Sequence, residues 1–342
     1  MIGVVRLDRI GDTVLTLPAI KIIKQKYADQ KIVGIFNDYN SKLFVYNSKL
    51  IYPYIDVLEI IPMKLVYRSL EVFSNIYDLF NYLKVLFWKN RKNYNFEKLF
   101  VFSPTTVSYL LGSLIKAKRK YTYFYGSRFN KNIFAKNFIH YVDNVDKSFI
   151  EDYGKVRHEV IQNLEVVRLD FEFDTSNLDE FKPEIFLPDI TYPEYDLLIF
   201  DKELFFSSSE GIQWFKKFIE QFMREVEKSE KKVKVGFVSR RTDLFGFAVN
   251  YDIIEIAGMV KNCKCVVCFD GGIVHIASSF DTPIVAIFTN RYFEFDVRRW
   301  GPLSTKQTII RLDIFDNDNL NFDLTNPIDF AKHVFFHAER YI

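Results

Sequence analysis

Apolar residues along the chain form two alternating patterns, short continuous runs and longer stretches at helical spacing. In the first half, predominantly apolar runs that we predict as strands occupy residues 1–7, 31–36, 57–61, 99–102 and 121–125. Stretches at helical spacing separate these runs, for example at 15–23 and in a long segment at 67–89. Continuous apolar runs are typical of parallel strands that are buried on both faces. Their alternation with helices predicts a doubly wound α/β domain.

The second half repeats this alternation. Its predicted strands are residues 195–200, 233–238, 265–269, 284–288 and 308–312. Predicted helices lie at 212–227 and 253–260, and a polar loop is expected at 202–209. Asn326-Pro327 marks the start of a terminal helix, because proline is favoured at the first helical position.

Length and the repeated pattern together predict two domains. A chain of 342 residues exceeds the size at which a single hydrophobic core stops growing. We expect domains at 1–170 and 191–325, an acidic, proline-bearing linker at 171–190, and a terminal helix at 326–342. Open α/β sheets bind ligands at the carboxyl ends of their strands. The two halves are therefore expected to face each other across a ligand-binding cleft.

A charged turn follows the first predicted strand. Its only glycine is Gly11, so it lacks the glycine fingerprint of a dinucleotide-binding turn, and a dehydrogenase is disfavoured. Asp12 follows Gly11 at the start of the next helix, where the helix dipole should keep the carboxylate ionised. Either Asp12 caps this helix or it acts as a base.

A second turn of this kind, Asp270-Gly271-Gly272, follows the strand predicted at 265–269. The two glycines allow the backbone to approach a ligand closely. The free N–H groups and positive dipole end of the following helix suit a phosphate, and His275 in its first turn would be a second donor. The alternative is a strand-to-helix turn with a capping aspartate and no ligand.

Charge and cysteine content exclude several classes of protein. A net charge of +2 argues against a general nucleic-acid binder, which needs a large basic excess. Cys263, Cys265 and Cys268 lie in one predicted strand segment, with Cys268 on the opposite face from the other two. We interpret them as reduced core residues of a cytosolic protein, and we expect no metal site.

Charged residues interrupt the N-terminal apolar run, so no signal peptide is expected. No apolar run is long enough to span a bilayer, and we expect a cytoplasmic protein that is soluble or rests on a membrane. The helix predicted at 67–89 leads into a basic-aromatic segment, 88–92. We favour an amphipathic helix that packs on its own sheet over a basic-aromatic segment that binds an anionic membrane.

Two motifs carry a resemblance to a known family. Residues 6–20 resemble the N-terminal motif of the lipopolysaccharide heptosyltransferases, glycosyltransferase family 9. Residues 270–277, followed by 282–288, are similar to the C-terminal motif of that family. Residues 299–302 and the helix beginning near His158 have weaker counterparts, so the resemblance runs along the chain in order.

The resemblance implies a GT-B fold, in which two Rossmann-like domains face each other across a cleft. The N-terminal domain would bind the acceptor, and the C-terminal domain the nucleotide sugar. The implied reaction transfers heptose from ADP-heptose to a lipopolysaccharide or lipooligosaccharide core with inversion at the anomeric carbon. No cofactor or metal is implied. We expect a monomer with peripheral contact to the cytoplasmic face of a Gram-negative inner membrane.

The resemblance also implies roles for individual residues. Asp12 falls at the catalytic base. Acceptor contacts or support of the turn would come from Arg9, Gly11 and Thr13. Donor contacts would come from Asp270, Gly271, Gly272, His275, Lys202, Ser207, Ser209, Arg240 and Arg241.

The chain departs from the family pattern at three places. Glycine stands at Gly271, where the family more often has threonine or serine, and the usual lysine spacing near Lys202 is not reproduced. Arg240 and Arg241 occupy the loop where relatives often place a glutamate; they would clamp phosphate or an acidic sugar, or lie solvated. Two alternatives therefore stay open. One is transfer of a hexose or amino sugar from another nucleotide, and the other is a non-catalytic nucleotide-binding protein.

Overall fold

The computed structural model describes residues 1–62, 95–125, 130–138, 140–144, 153–245, 248–249, 251–316 and 318–342. The chain divides into two units, Met1–Phe181 (unit 1) and Lys182–Ile342 (unit 2). The helix predicted at 67–89 and its basic-aromatic end at 88–92 lie outside the described residues.

The described part of unit 1 is built on a sheet of six parallel strands. Its strands and a small hairpin are β1 Ile2–Arg6, β2 Ile32–Asn37, β3 Val45–Tyr46, β4 Lys49–Leu50, β5 Val57–Ile61, β6 Phe96–Val101, β7 Ala117–Tyr125 and β8 His140–Asn144. Strand order in the sheet is β5-β2-β1-β6-β7-β8, and β3 pairs with β4 outside it. β1 is buried along its whole length, as expected for a central strand covered on both faces.

Helices and short 3-10 turns connect these strands. The helices are α1 Ile10–Val14, α2 Leu17–Lys26, α3 Thr106–Leu114, α4 Asn130–Phe134 and α5 Glu159–Arg168. The 3-10 turns are Asn40–Leu43, Ala135–Asn137, Tyr153–Lys155 and Leu178–Phe181. The strand order reverses direction at β1, because β2 lies on one side of it and β6 on the other. In open α/β sheets, the crevice at such a switch point is where ligands bind.

Unit 2 repeats the design on a sheet of five parallel strands in its described residues. Its strands are β9 Leu197–Phe200, β10 Val235–Val238, β11 Cys265–Phe269, β12 Ile284–Thr289, β13 Gln307–Leu312, β14 Phe315–Asp316 and β15 Asn319–Leu320, the last two forming a separate hairpin. Its helices are α6 Ser209–Lys228, α7 Ile253–Asn262, α8 Gly272–Ser279, α9 Phe293–Trp300 and α10 Pro327–Ala338, and its 3-10 turns are Glu203–Phe206, Asn290–Tyr292 and Phe322–Leu324. The order β10-β9-β11-β12-β13 places the switch point between β9 and β11.

An aromatic cluster fills the core of unit 2 beside this switch point. The ring of Phe205 stacks on Trp214 and Phe215 of α6, with centroid distances of 5.3 and 5.0 Å, and meets Phe269 of β11 edge-on. The predicted polar loop at 202–209 is therefore wrong in part. Residues Glu203–Phe206 form a 3-10 turn, and Phe205 is fully buried. Burying this ring anchors the loop that follows β9.

The start of unit 2 is attached to α7 through Tyr192. A Cβ atom added at Gly258 of α7 would lie 2.1 Å from Cδ1 of Tyr192, so only glycine leaves room for the ring. The Tyr192 hydroxyl donates to the carbonyl of Pro188 at 2.9 Å. Lys182 pairs with Asp281 at 3.2 Å, which attaches this segment at a second point.

We predict that Gly258→Ala lowers the free energy of unfolding by about 1–3 kcal/mol, because the new methyl group overpacks the contact with Tyr192. Urea unfolding of the variant measures this change. In a Tyr192→Ala background the clash is absent, and Gly258→Ala should be neutral or slightly stabilising through helix propensity. An equal loss in both backgrounds would show that Tyr192 is not the cause.

Candidate functional site

Four charged side chains converge just beyond the carboxyl end of β1. Arg6 is the last residue of that strand and is 1% exposed. Its Nε donates to Oδ1 of Asp8 at 2.6 Å, and its Nη2 lies 3.3 Å from Oδ1 of Asp12. Nη1 and Nη2 each lie 3.5 Å from Oε1 of Glu159, the first residue of α5. We refer to Arg6, Asp8, Asp12 and Glu159 as the carboxylate cluster.

Backbone and side-chain oxygens hold the Arg6 guanidinium in place. Nη1 donates to the carbonyl of Phe102, which follows β6, at 2.8 Å and to Oδ1 of Asn163 at 3.2 Å. The hydroxyl of Tyr123 donates to Oε1 of Glu159 at 3.1 Å. Burial acts to lower the pKa of Arg6, but the cluster carboxylates and Tyr123 raise it well above its ordinary value. Arg6 is therefore a fixed cation at the switch point of unit 1.

Asp12 lies in the first turn of α1, but it does not cap that helix. The N-cap residue is Arg9, and Asp12 occupies the third helical position, so the capping alternative is wrong for this residue. Gly11 and Thr13 are buried, and the Thr13 hydroxyl donates to the carbonyl of Arg9 at 3.3 Å. These contacts support the turn. The Asp12 side chain is 21% exposed, so solvent reaches it.

Asp8, like Arg6 and Glu159, is a member of the cluster that sequence reasoning did not single out. Its side chain is 13% exposed, and the Ser103 hydroxyl lies 3.4 Å from Oδ1. Asn37 and Asn40 donate to its backbone carbonyl at 2.9 and 2.7 Å. Burial raises the pKa of Asp8 to about 7; Asp12 and Glu159 add to the shift, and Arg6 opposes it. The available signal was its position two residues after the last residue of the central strand.

In unit 2, Lys202 and Asp270 meet across the switch point. Lys202 follows β9 and Asp270 follows β11, and these strands are neighbours in the sheet. The Lys202 ammonium donates to Oδ1 of Asp270, and both side chains are partly exposed. The Asp270 backbone N–H donates to the carbonyl of Ile287 at 2.8 Å. The structure therefore brings two of the predicted donor residues together at an accessible edge.

Gly271 gives this turn its backbone shape. It is the N-cap of α8, with φ 156° and ψ −168°, a conformation that is nearly restricted to glycine. The capping aspartate proposed as an alternative is therefore wrong for Asp270 as well. Apart from its chain neighbours, the nearest heavy atom to a Cβ added at Gly271 would be the carbonyl oxygen of Phe269 at 3.9 Å, so the surroundings of the turn are not crowded. Gly272 is the first residue of α8.

His275 and the two predicted serines are less available than the sequence implied. His275 lies on α8 and is 4% exposed. The exposed Ser207 donates its hydroxyl to the carbonyl of Leu204 at 2.7 Å. Ser209 begins α6 and its hydroxyl lies 3.0 Å from Oε1 of Glu210. These hydroxyl groups make contacts within their own loop.

The two arginines that follow β10 differ in their surroundings. Arg240 is exposed. Arg241 donates to both carboxylate oxygens of Asp243 at 2.9 Å, and its guanidinium lies 5.4 Å from the ring centre of Phe206. The alternative in which both arginines lie solvated therefore fits Arg240 better than Arg241.

Asp201 is a second carboxylate that sequence reasoning missed, at the end of β9. The hydroxyl of Ser239, which follows β10, donates to its Oδ2. Burial raises the pKa of Asp201 above its usual range, although the Ser239 hydrogen bond and the charges of Arg240 and Arg241 oppose the shift. The loops after β9, β10 and β11 thus place acidic, basic and glycine residues along one edge.

Three general features concern the described residues of both units. Among these residues, no group of three or more His, Cys, Asp or Glu side chains has a metal-binding arrangement. Cys263, Cys265 and Cys268 are buried, and burial raises the pKa of all three thiols. Within the same residues, no helix combines the length and apolar character needed to cross a membrane.

Comparison with known proteins supports the resemblance read from the sequence. The family model described as glycosyltransferase family 9 (heptosyltransferase) matches residues 227–324, which include Asp270-Gly271-Gly272 and His275. No curated protein matches the chain by sequence.

Several solved structures share the fold over nearly the whole chain. A glycosyltransferase of family 9 from Veillonella parvula has 15% identity and a TM-score of 0.65, covering 98% of this chain and 97% of its own. The E. coli heptosyltransferase WaaC with ADP has 12% identity and a TM-score of 0.62, covering 97% and 99%. The E. coli ADP-heptose lipopolysaccharide heptosyltransferase II has 12% identity and a TM-score of 0.59, covering 99% of each chain. These structures confirm the α/β, GT-B fold class, and the family model confirms the resemblance to family 9 over residues 227–324.

Proposed function

We propose that this chain is an inverting glycosyltransferase that transfers heptose from ADP-heptose to a lipid-linked core oligosaccharide. The observation that carries the proposal is the Asp270-Gly271-Gly272 turn, in which Asp270 pairs with Lys202 at a switch point of the sheet. This turn lies within the residues that match family 9. Solved structures with a similar fold include proteins described as heptosyltransferases. The proposal includes a monomer in the cytoplasm, in peripheral contact with the inner membrane that carries the acceptor.

In this mechanism, Asp12 is the general base. Its carboxylate takes the proton of the acceptor hydroxyl as that oxygen attacks the anomeric carbon of the donor. The bond from the anomeric carbon to the diphosphate breaks, and its electron pair leaves on the diphosphate oxygen. Arg6 orients Asp12 through their 3.3 Å contact. Arg9, Gly11 and Thr13 shape the turn that presents the base.

On the donor side, the groups at the edge of unit 2 stabilise the charge that develops on the diphosphate. The Lys202 ammonium exchanges Asp270 for a diphosphate oxygen, since a dianionic ligand attracts it more strongly than one carboxylate. The uncrowded surroundings of Gly271 permit a close approach to the backbone N–H groups at the start of α8. Such prearranged donors lower the barrier to departure of the leaving group. His275, Ser207 and Ser209 remain proposed donor contacts.

A second candidate keeps this chemistry and changes the sugar. Arg240 and Arg241 favour it, because guanidinium groups at the edge of the donor unit suit a phosphate or an acidic sugar. In this candidate function, the protein transfers a hexose or an amino sugar from another nucleotide instead of heptose from ADP-heptose. A non-catalytic nucleotide-binding protein is the third candidate. The carboxylate cluster argues against this candidate, because binding a nucleotide does not require such a cluster.

The test is incubation of the purified protein with lipid-linked core acceptors, truncated before and after the first heptose, and one nucleotide sugar at a time. We expect mass spectrometry to show the addition of one heptose with ADP-heptose alone, and proton NMR of the product to show inversion. Addition of another sugar from a UDP or GDP donor would establish the second candidate. Binding of ADP without transfer from any donor would establish the third.

We predict that Lys202→Met weakens binding of ADP about 10- to 100-fold, because a charge-assisted contact to the diphosphate is lost. Isothermal titration calorimetry measures the change. Lys217→Met, which removes an exposed lysine from α6, is the control and should bind ADP as the wild type does. Equal affinity of wild type and Lys202→Met would remove Lys202 from the donor site.

A further inference from the structure

The carboxylate cluster has more negative than positive charge. One guanidinium, Arg6, faces the three carboxylates Asp8, Asp12 and Glu159. With all of them ionised, the sum of one positive and three negative charges is −2. Like charges near one buried cation cannot all be fully stabilised, so at least one carboxylate is expected to hold a proton at moderate pH.

The three carboxylates differ in their distance from the guanidinium nitrogens of Arg6. Asp8 has the short contact, 2.6 Å to Nε, whereas Asp12 and Glu159 lie 3.3 and 3.5 Å from Nη2. Glu159 also accepts from Tyr123, and the Ser103 hydroxyl faces Asp8. Asp8 and Asp12 therefore bind different nitrogens of one guanidinium, and the charge of each affects the other.

The protonation of Asp8 then controls how strongly Asp12 binds a proton. When Asp8 is ionised, it competes for Arg6 and repels the Asp12 carboxylate, which raises the affinity of Asp12 for the acceptor proton. When Asp8 is protonated, the charge of Arg6 is directed to Asp12 and Glu159. Asp12 then becomes a weaker base.

We propose that Asp8 is a positioning residue that sets the basicity of Asp12 by competing for Arg6, so that transfer increases as Asp8 loses its proton. The inference rests on the proposed function, in which Asp12 is the base, and goes beyond it by assigning the pH dependence to a named neighbour. The raised pKa of Asp8, about 7, agrees with the geometry and places the change near neutral pH. Because the groups are coupled, the observed midpoint belongs to the cluster as a whole.

The first test is the pH profile of kcat between about pH 5.5 and 9, bracketing the usual range of a perturbed carboxyl group. We expect the wild-type kcat to rise by about three- to tenfold, because the rate of general-base catalysis follows the basicity of Asp12, with a midpoint near 7. Asp8→Asn should lack that rise, so it matches the wild type at the acidic end and falls behind it at the basic end, with KM unchanged. Asp8→Glu should restore the rise, and Asp29→Asn, at an exposed position, should leave the profile unchanged. A rise of normal size in Asp8→Asn would overturn the inference.

A second measurement does not depend on activity. Carbon-13 NMR of aspartate carboxyl groups in the ligand-free protein should show one group titrating near pH 7, absent in Asp8→Asn. Asp12→Asn should shift that midpoint downward, because it removes a like charge from the cluster. Absence of the titration, or a midpoint unaffected by Asp12→Asn, would refute the coupling. If the titration and its shift are present but no sugar is transferred at any pH, the proposed function fails and the coupling stands.

Discussion

Asp12→Asn is expected to lower kcat for sugar transfer by about two to four orders of magnitude, the usual contribution of a general base. The amide keeps the shape of the carboxylate and an oxygen for Arg6, which lies 3.3 Å from Oδ1 in the wild type, but it cannot take the acceptor proton. Binding of the donor should be unchanged, because Lys202 and the Asp270 turn belong to unit 2. Single-turnover kinetics and calorimetry with ADP measure the two quantities separately.

Asp29→Asn is the matched control for that experiment. It makes the same chemical change in unit 1 at an exposed position, and it should transfer sugar as the wild type does. Thermal unfolding followed by circular dichroism checks that both variants are folded. Transfer at the wild-type rate by folded Asp12→Asn would show that Asp12 is not the base and would require another residue in that role.

Arg6→Met is expected to lower the free energy of unfolding by about 3–5 kcal/mol at pH 8, the cost of leaving buried charge without its partner. The substitution removes the cation that Asp8, Asp12 and Glu159 share. Without Arg6 the folded-state pKa of Asp8, which burial already raises, rises further, because the charge of Arg6 opposes that shift. The folded protein then binds protons more readily than the unfolded chain, and the variant regains stability as pH falls towards 5.

Urea unfolding at pH 8 and pH 5 measures this loss and its recovery. Arg157→Met is the control, because Arg157 also pairs with a glutamate, Glu165 at 3.4 Å, but its side chain is 59% exposed. An exposed pair of this kind contributes about 0–1 kcal/mol. If the two variants lose similar stability, or the loss at pH 8 persists at pH 5, the cluster is not the cause.

The strands that build both sheets were largely predictable from the sequence. Residues 57–61 and 265–269 were predicted with the bounds that the structure has, β5 Val57–Ile61 and β11 Cys265–Phe269. β11 is a continuous apolar run closed by a glycine-containing turn, which is the pattern of a buried parallel strand, whereas β5 is apolar except for Glu59. The start of α10 was also predictable, since the Asn326 side chain accepts the N–H groups of Ile328 and Asp329.

Elements with weaker patterns were missed. α3 Thr106–Leu114 contains Thr, Ser and Gly, and its start depends on the cap provided by Thr105. β8 His140–Asn144 is a polar strand that, among the described residues, lies at the edge of its sheet, and its alternation is weak. Phe205 was placed in a polar loop because its burial depends on rings from α6 and β11 that are distant in sequence.

The same division applies to the candidate site. The positions of Asp12 and Asp270 were predictable, because Asp12 lies in the first helical turn after β1 and Asp270 directly follows β11, at the end where parallel sheets bind ligands. The full set of charges around Arg6 and Asp8 was not predictable, because it includes a glutamate 153 positions beyond Arg6 in the chain, brought to the same guanidinium by folding. The surroundings of Asp201 likewise depend on Ser239, which lies 38 positions away and follows the neighbouring strand. Sequence pattern locates an edge of a sheet, and the tertiary contacts decide the charge states along it.

Arg6 is buried, whereas Lys202 and Asp270 are partly exposed, so the charge pairs of the two units should respond differently to dissolved salt. Mobile ions screen exposed charges over about 8 Å at physiological ionic strength, but they have little access to a guanidinium that is 1% exposed. The pairing of Arg6 with its carboxylates should therefore be nearly the same in dilute and in concentrated electrolyte. Lys202 and Asp270 are partly exposed, so their attraction, and that of Lys202 for an anionic ligand, weakens as salt is added. Electrolyte should thus change donor affinity while leaving the titration midpoint of the carboxylate cluster almost unaltered.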